Sequence, residues 1–413
     1  MKLVFLSLLC CAATLARAQT VKNNALVIGR VDSVASVVLK ETRKVWVYVP
    51  ASARDPTYLK QRYPVVYVLD GDDHFAYTTG MTQRLSEVPN TVCPEMIVVG
   101  VLNTQRTRDL TPSRPASAEG MPPEVLKTAG GAESFTAFLE KELIPYVEAH
   151  YPATAHRTLI GHSFGGLFVM NTLVHHPSLF ENYAAIDPSM WWDEGKLLKE
   201  AREGLAQARF AGRSLFVASA NTTGQDSLLV LKDPSVGGQF TRSKWTLRDE
   251  LARNRANGLR STFKYYPTDT HNTVTVPATY DALHFFFQPY ALSPAATSAL
   301  FTATPTADGA ALLTAHYRQV SAQAGYPVLP PEPLVNQLAY YLLSQAGQAP
   351  RALALFQLNA QNYPASANVH DGLGDYYQSQ KQPAMAIASY TKALQLKETP
   401  ATRQKLAQLR AKK

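Results

Sequence analysis

The chain has 413 residues, 46% of them hydrophobic and 17% charged, with a formal net charge of +8. That length exceeds the roughly 100–200 residues of one ordinary domain and predicts two domains, while the apolar fraction supports a sizeable core and excludes long disordered stretches. The basic excess is spread along the chain with no block of the kind that neutralises phosphates, so neither nucleic acid nor an anionic membrane surface is expected as a partner.

Residues 1–18 read as a removable export signal: Lys2 supplies the positive start, Leu3 to Leu15 is apolar, and Ala16-Arg17-Ala18 offers a small-x-small cleavage site before Gln19. The apolar run is too short for a membrane span, which predicts an exported protein, periplasmic or secreted. Cleavage removes Cys10 and Cys11 and leaves Cys93, so no internal disulfide is expected. Cys93 precedes the apolar run Met96-Ile97-Val98-Val99 and reads as a buried structural thiol.

From residue 19 to 291 short β-rich runs alternate with helical segments. Residues 36–40 and 45–49 form an expected hairpin, and further strands are predicted at 65–69, 96–102, 157–160, 184–186, 214–218 and 262–266. Continuous apolar strands separated by helices imply a mostly parallel sheet covered on both faces, an α/β fold. Phe135, Phe138, Leu139, Leu143 and Tyr146 share one helical face, and Pro145 is expected to bend or reset that helix.

Gly161-His162-Ser163-Phe164-Gly165 lies between a strand and a helix. That order suits a nucleophilic serine: a sharp strand-to-helix turn exposes its hydroxyl, glycines avoid clashes, and the helix N-terminus faces the developing anion. Ser163 is therefore the candidate nucleophile. His271, in a polar loop after the last strand, is the candidate base, because this fold runs Ser, acid, His along the chain. His162 is expected to point away from the serine, and His74 to touch substrate. The orienting acid is sought after the strand 214–218, where Asp226 is preferred to Asp233 for its nearness to the strand end. The backbone N–H groups of Phe164 and Asp72 are the expected oxyanion hole. No histidine pair has metal-ligand spacing on one helix face, so neither a metal nor any other cofactor is expected.

Tyr67-Val-Leu-Asp-Gly71, residues 106–112, residues 161–167, Asp187-Pro-Ser-Met-Trp-Trp192 and residues 271–287 occur in this order. Together they make the chain resemble the esterase D-like putative esterases, most closely the enterobactin and salmochelin esterase branch, across roughly residues 25–290. The resemblance implies an α/β-hydrolase fold and a Ser-His-acid esterase acting on a small-molecule ester through Ser163 and His271. Arg106 and Arg108 stand at the sheet edge where such folds bind ligands, so that either one of them receives an anionic or polyphenolic substrate or both pair with Asp109 and nearby carboxylates. Trp191 and Trp192 either wall the acyl pocket or belong to the core. An acyltransferase of the same fold, or an inert partner-binding protein, are the other readings.

Residues 292–306, rich in Pro, Ala, Ser and Thr, read as a linker. Residues 307–413 are predicted to form a small all-α domain of tetratricopeptide-like repeats with a 34-residue offset, which superposes Tyr340 on Gly374, Leu343 on Tyr377, Ala352 on Ala386 and Phe356 on Tyr390. Two copies cannot bury their own apolar faces, so they are expected to lean on the hydrolase domain, on a second subunit in a homodimer or on another protein.

Overall fold

The structure is a computed structural model that describes residues 26–411 except 59–60, 89–90, 119–120, 223–231, 234 and 302–307. Its centre is an eight-stranded sheet in the order β1-β2-β4-β3-β5-β6-β7-β8. The strands are β1 (Arg30–Ser36), β2 (Glu41–Tyr48), β3 (Tyr63–Leu69), β4 (Ile97–Val101), β5 (Ala153–His162), β6 (Asn182–Ile186), β7 (Ser214–Ala220) and β8 (Arg260–Tyr266). β2 pairs antiparallel with both β1 and β4, and all other pairs are parallel, as the α/β-hydrolase fold requires. The first hairpin arm lies upstream of its expected place, because residues 37–40 form the turn itself. The Glu142 carboxylate accepts the N–H groups of Val37 and Val38 and the Ser36 hydroxyl, which draws that segment away from the ladder.

Alternation along β3 divides the core in two. Val65, Tyr67 and Leu69 pack on one face with Phe135, Leu139 and Phe168, while Val66 and Val68 pack on the other with Phe75, Ala282 and Phe286. Both faces are therefore dry, and each parallel strand reads as a continuous apolar run. Before the strand-to-helix elbow at Ser163 the chain forms helix Ala132–Phe138, a π-helical turn Leu139–Leu143 and helix Ile144–His150. Pro145 has no N–H for the usual i−4 bond, and the wider π turn resets the helix at that point as anticipated.

The second core face continues into the C-terminal helices, where Leu300, Leu313, Tyr317, Val335, Leu338 and Phe356 join the cluster of Phe286 and Phe287. The expected linker is only partly one: Pro294–Phe301 is helical, and its Leu300 is 2% exposed. Helices Glu332–Ser344 and Ala349–Asn362 form one pair, and Ala367–Ser379 and Pro383–Leu396 another. Ala352, Phe356, Ala386 and Tyr390 are all fully buried. Where the second pair has Gly374, a side chain would meet the Tyr390 ring at 2.3 Å. At the equivalent place Tyr340 turns outward, lies edge-on to Phe356 and donates to Asp375. The helices lean on the hydrolase domain of the same chain: Tyr58 donates to buried Glu332 at 2.5 Å, His316 Nε2 contacts Tyr290 O at 3.0 Å, and His156 Nδ1 contacts Ala324 O at 3.2 Å.

Candidate active site

Ser163 follows β5 directly and holds φ 60° and ψ −115° before helix Phe164–His175 begins. Only glycine fits around this turn: a Cβ on Gly161 would lie 2.3 Å from Gly165 O, and one on Gly166 would lie 2.9 Å from Pro188 Cα. The serine backbone is fixed on both sides, since its N–H donates to Ile186 O at 3.0 Å and its carbonyl accepts from Ser189 N–H at 3.1 Å and Leu167 N–H at 2.9 Å. Its Oγ lies 3.4 Å from Ser189 Oγ. Among the described residues this hydroxyl makes no hydrogen bond to the His271 ring, a looseness common at serine–histidine pairs before substrate closes them.

His271 stands in the loop after β8, with Nδ1 2.5 Å from Asp187 Oδ2. Asp187 follows β6 directly, at φ 43°, and its side chain is 1% exposed. Its other oxygen accepts the Ala220 N–H at 2.8 Å and the Lys244 ammonium. Burial pushes the Asp187 carboxyl up, but Lys244 and His271 outweigh it and hold the group below the ordinary carboxylate range.

Among the described residues the carboxylate that meets His271 is Asp187, which the sequence reading did not name as an acid. Asp226 lies outside the described residues, and Asp233 bonds the N–H and hydroxyl of Ser235 at the surface. β6 is the immediate neighbour of β5, so its end comes beside the elbow, and a positive φ turns the Asp187 carboxylate toward the His271 loop. A signal was present in the sequence, namely an aspartate placed directly after the apolar run Ala184-Ala-Ile186.

His162 does not simply point away. Its Nε2 is 2.7 Å from His271 O, and the rings lie 4.5 Å apart, so it props the His271 loop. Burial, reinforced by His271 and His74, drops the His162 imidazole to about 4. His74 braces His162 edge-on at 5.8 Å, and burial lowers its pKa as well.

Arg106 is engaged within the protein: its Nε and Nη2 fork onto Asp70 at 2.7 and 2.9 Å, and the guanidinium lies 5.6 Å over the Phe164 ring. Burial pushes the Asp70 carboxyl up, but Arg106 outweighs it and holds the group below its ordinary range. Arg108 pairs with Glu41 and Asp109, the second of its two sequence readings.

The two expected oxyanion donors, the N–H groups of Phe164 and Asp72, both lie at helix starts. Asp70 O accepts the N–H groups of Asp73 and His74, which leaves Gly71 and Asp72 as first-turn donors of helix Gly71–Ser86. A Cβ on Gly165 would sit 3.3 Å from Asp70 Oδ2, so this turn and the Phe164 helix start are adjacent. The two tryptophans divide. Trp192 is core, 1% exposed, with Nε1 donating to Ser113 O. Trp191 is half-buried and stacks on Phe240 at 4.5 Å.

Among the described residues, no three His, Cys, Asp or Glu side chains converge as a metal site, and no helix is long and apolar enough to cross a membrane. A family model described as "Putative esterase" matches residues 36–257. Residues of the chain are 34% identical over 159 positions to the siderophore enterobactin esterase of Emericella nidulans, covering 35% of this chain and 52% of that protein. They are also 34% identical over 155 positions to the ferri-bacillibactin esterase BesA of Bacillus subtilis, covering 33% and 52%. The chain therefore spans about half the length of the curated relatives it matches. Among solved structures, an IroE-like serine hydrolase from Shewanella oneidensis superposes with a TM-score of 0.66 and 28% identity, over 81% of this chain and 99% of that one.

Proposed function

This chain belongs to the putative esterase family, and we propose that it is an exported serine carboxylic-ester hydrolase with Ser163 as nucleophile, His271 as base and Asp187 as orienting acid. The observation that carries this reading is the 2.5 Å contact between His271 Nδ1 and buried Asp187 beside a strained, glycine-flanked serine. With Nδ1 held by Asp187, the free Nε2 of His271 accepts the Ser163 proton as Oγ attacks the ester carbonyl carbon. The N–H groups of Phe164 and Asp72 stabilise the resulting oxyanion, and His271 returns the proton to the departing alcohol. Water, deprotonated by the same histidine, then cleaves the acyl-enzyme. An inert binding protein has no use for the buried Asp187–His271 pair or for the strain at Ser163.

The names of the relatives favour polar acyl esters of the siderophore type, which the half-buried face of Trp191 and Phe240 would receive. Fluorophosphonate labelling followed by peptide mapping tests the reaction class. The adduct is expected on Ser163 and absent in Ser163→Ala, and labelling of that variant at the wild-type rate overturns the assignment. A panel of aryl, acetyl, feruloyl and siderophore esters then sets the substrate class. N-terminal sequencing of the protein from its native host tests export, with Gln19 expected first.

A further inference from the structure

Helix Val236–Arg253 presents Lys244, Leu247 and Leu251 to the sheet at three- and four-residue spacing, so a lysine occupies a core position. Its side chain is 2% exposed, and the carboxylate it meets is 1% exposed. A buried lysine ordinarily loses its charge, and such a pair is retained at a cost that an apolar residue of the same shape would avoid. The partner here is the acid that orients His271.

We infer that Lys244 is a positioning residue of the catalytic apparatus: its ammonium anchors one oxygen of Asp187 so that the other is aimed at His271, and its charge extends the working range of the pair toward acid. The inference rests on the esterase reading above. Asp187 divides its oxygens, Oδ1 to Lys244 and the Ala220 N–H, Oδ2 to His271 Nδ1. With Oδ1 held from two directions the carboxylate cannot rotate, and His271 is kept in the tautomer with Nε2 free.

The charge has a separate effect. Without the ammonium, the site around the Asp187–His271 pair has one positive charge fewer, and a proton binds the pair more readily whichever residue takes that proton. The active form has His271 neutral and Asp187 ionised, so losing the lysine moves the acid limb of activity to higher pH.

The other charged and titratable groups around the pair leave this sign unchanged. From β5, His162 faces the His271 ring with its own pKa near 4, and behind it His74 is likewise depressed by burial. Arg106 and Asp70 pair with each other. On the His271 loop, Asp269 accepts from Thr273. Each remains in place when Lys244 is replaced.

The test is the pH profile of kcat/KM for p-nitrophenyl acetate with the full chain, after fluorophosphonate labelling of wild type has established the nucleophile. Lys244→Met is expected to move the acid midpoint up by about one pH unit or more. Lys244→Arg, which keeps the charge, should stay near wild type. A folded Lys244→Met protein with an unmoved midpoint overturns the role of the lysine. The double variant Asp187→Asn/Lys244→Met removes both charges together and decides the matter if the single variant does not fold. Acting only through Asp187, Lys244 should add nothing to the loss in Asp187→Asn, and a further loss beyond about threefold overturns the proposal. Absent labelling of wild-type Ser163 would instead sink the esterase reading itself, an outcome distinct from a labelled enzyme with an unmoved pH limb.

Discussion

His271 Nδ1 and Asp187 Oδ2 meet at 2.5 Å although 84 positions separate the two residues. Asp187→Asn keeps the shape but can donate to Nδ1, which favours the wrong tautomer. The expected loss in kcat/KM is about 10³- to 10⁴-fold. Asp233→Asn should remain near wild type, because among the described residues that carboxylate accepts from the N–H and hydroxyl of Ser235 in its own turn. Initial rates on an activated acetyl ester compare the two, and wild-type turnover by Asp187→Asn would remove it from the triad.

The stability of the fold should fall in acid partly through His162. An ordinary histidine protonates near 6.5, whereas this one, buried against His271, does so near 4. Between those values the unfolded chain binds more protons than the folded one. The contribution is therefore complete above pH 6.5 and declines as pH falls toward 4, by about 3 kcal/mol. His162→Gln can still donate to His271 O, and urea unfolding at pH 7 and 4.5 should show a smaller difference for it than for wild type. The slope will not vanish, because His74 and His156 are depressed by burial in the same sense.

Two glycine-to-alanine changes should act in opposite directions. At Gly374 the new methyl would lie 2.3 Å from the Tyr390 ring, whose hydroxyl is tied to Asp375 and Gln378. Overpacking there should cost about 1–3 kcal/mol. Gly80 lies exposed within helix Gly71–Ser86 with nothing within 4 Å of a Cβ, so alanine should stabilise by about 0.5–1 kcal/mol. Thermal melts of both variants check the signs.

Glu332 fastens the C-terminal helices to the hydrolase domain. It accepts from Tyr58, Ser366 and Asn368, so Glu332→Ala leaves three donors without their acceptor, at about 1–3 kcal/mol. Cys93 reports the outcome, since it is fully buried in the core shared by both parts and burial pushes its thiol pKa up. Its modification by a thiol reagent, followed by peptide mass, should be faster in Glu332→Ala. An unchanged rate would show that Glu332 does not control docking.

The residues that could be read from sequence are those whose role is local. The elbow around Ser163 is a strand, a turn and a helix within one short segment, and Cys93 sits beside its own apolar strand. The helical offset was visible because Ala352, Ala386, Phe356 and Tyr390 repeat one packing arrangement. Asp187 escaped because strand adjacency, rather than chain position, brings β6 beside β5. Arg106 is open to both a ligand-binding and an ion-pairing reading in sequence, because the carboxylate that takes both arms of its fork, Asp70, lies 36 residues away. Lys244 carries no signal in sequence, since nothing near it in the chain reveals a buried carboxylate 57 residues upstream.

Three neighbouring strands, β3, β5 and β6, are each followed by a non-glycine residue with positive φ: Asp70 at 51°, Ser163 at 60° and Asp187 at 43°. Such angles are sparsely populated by L-residues, and among them Asp and Asn are the most tolerant. The rim of the sheet therefore sets a filter of handedness on its own sequence, apart from any filter of chemistry. Valine or isoleucine is disfavoured at all three positions by the backbone, while glycine meets no such penalty and is tested there only by what the lost side chain did. A substitution scan scored once for abundance and once for turnover would separate the two filters, position by position, along this edge.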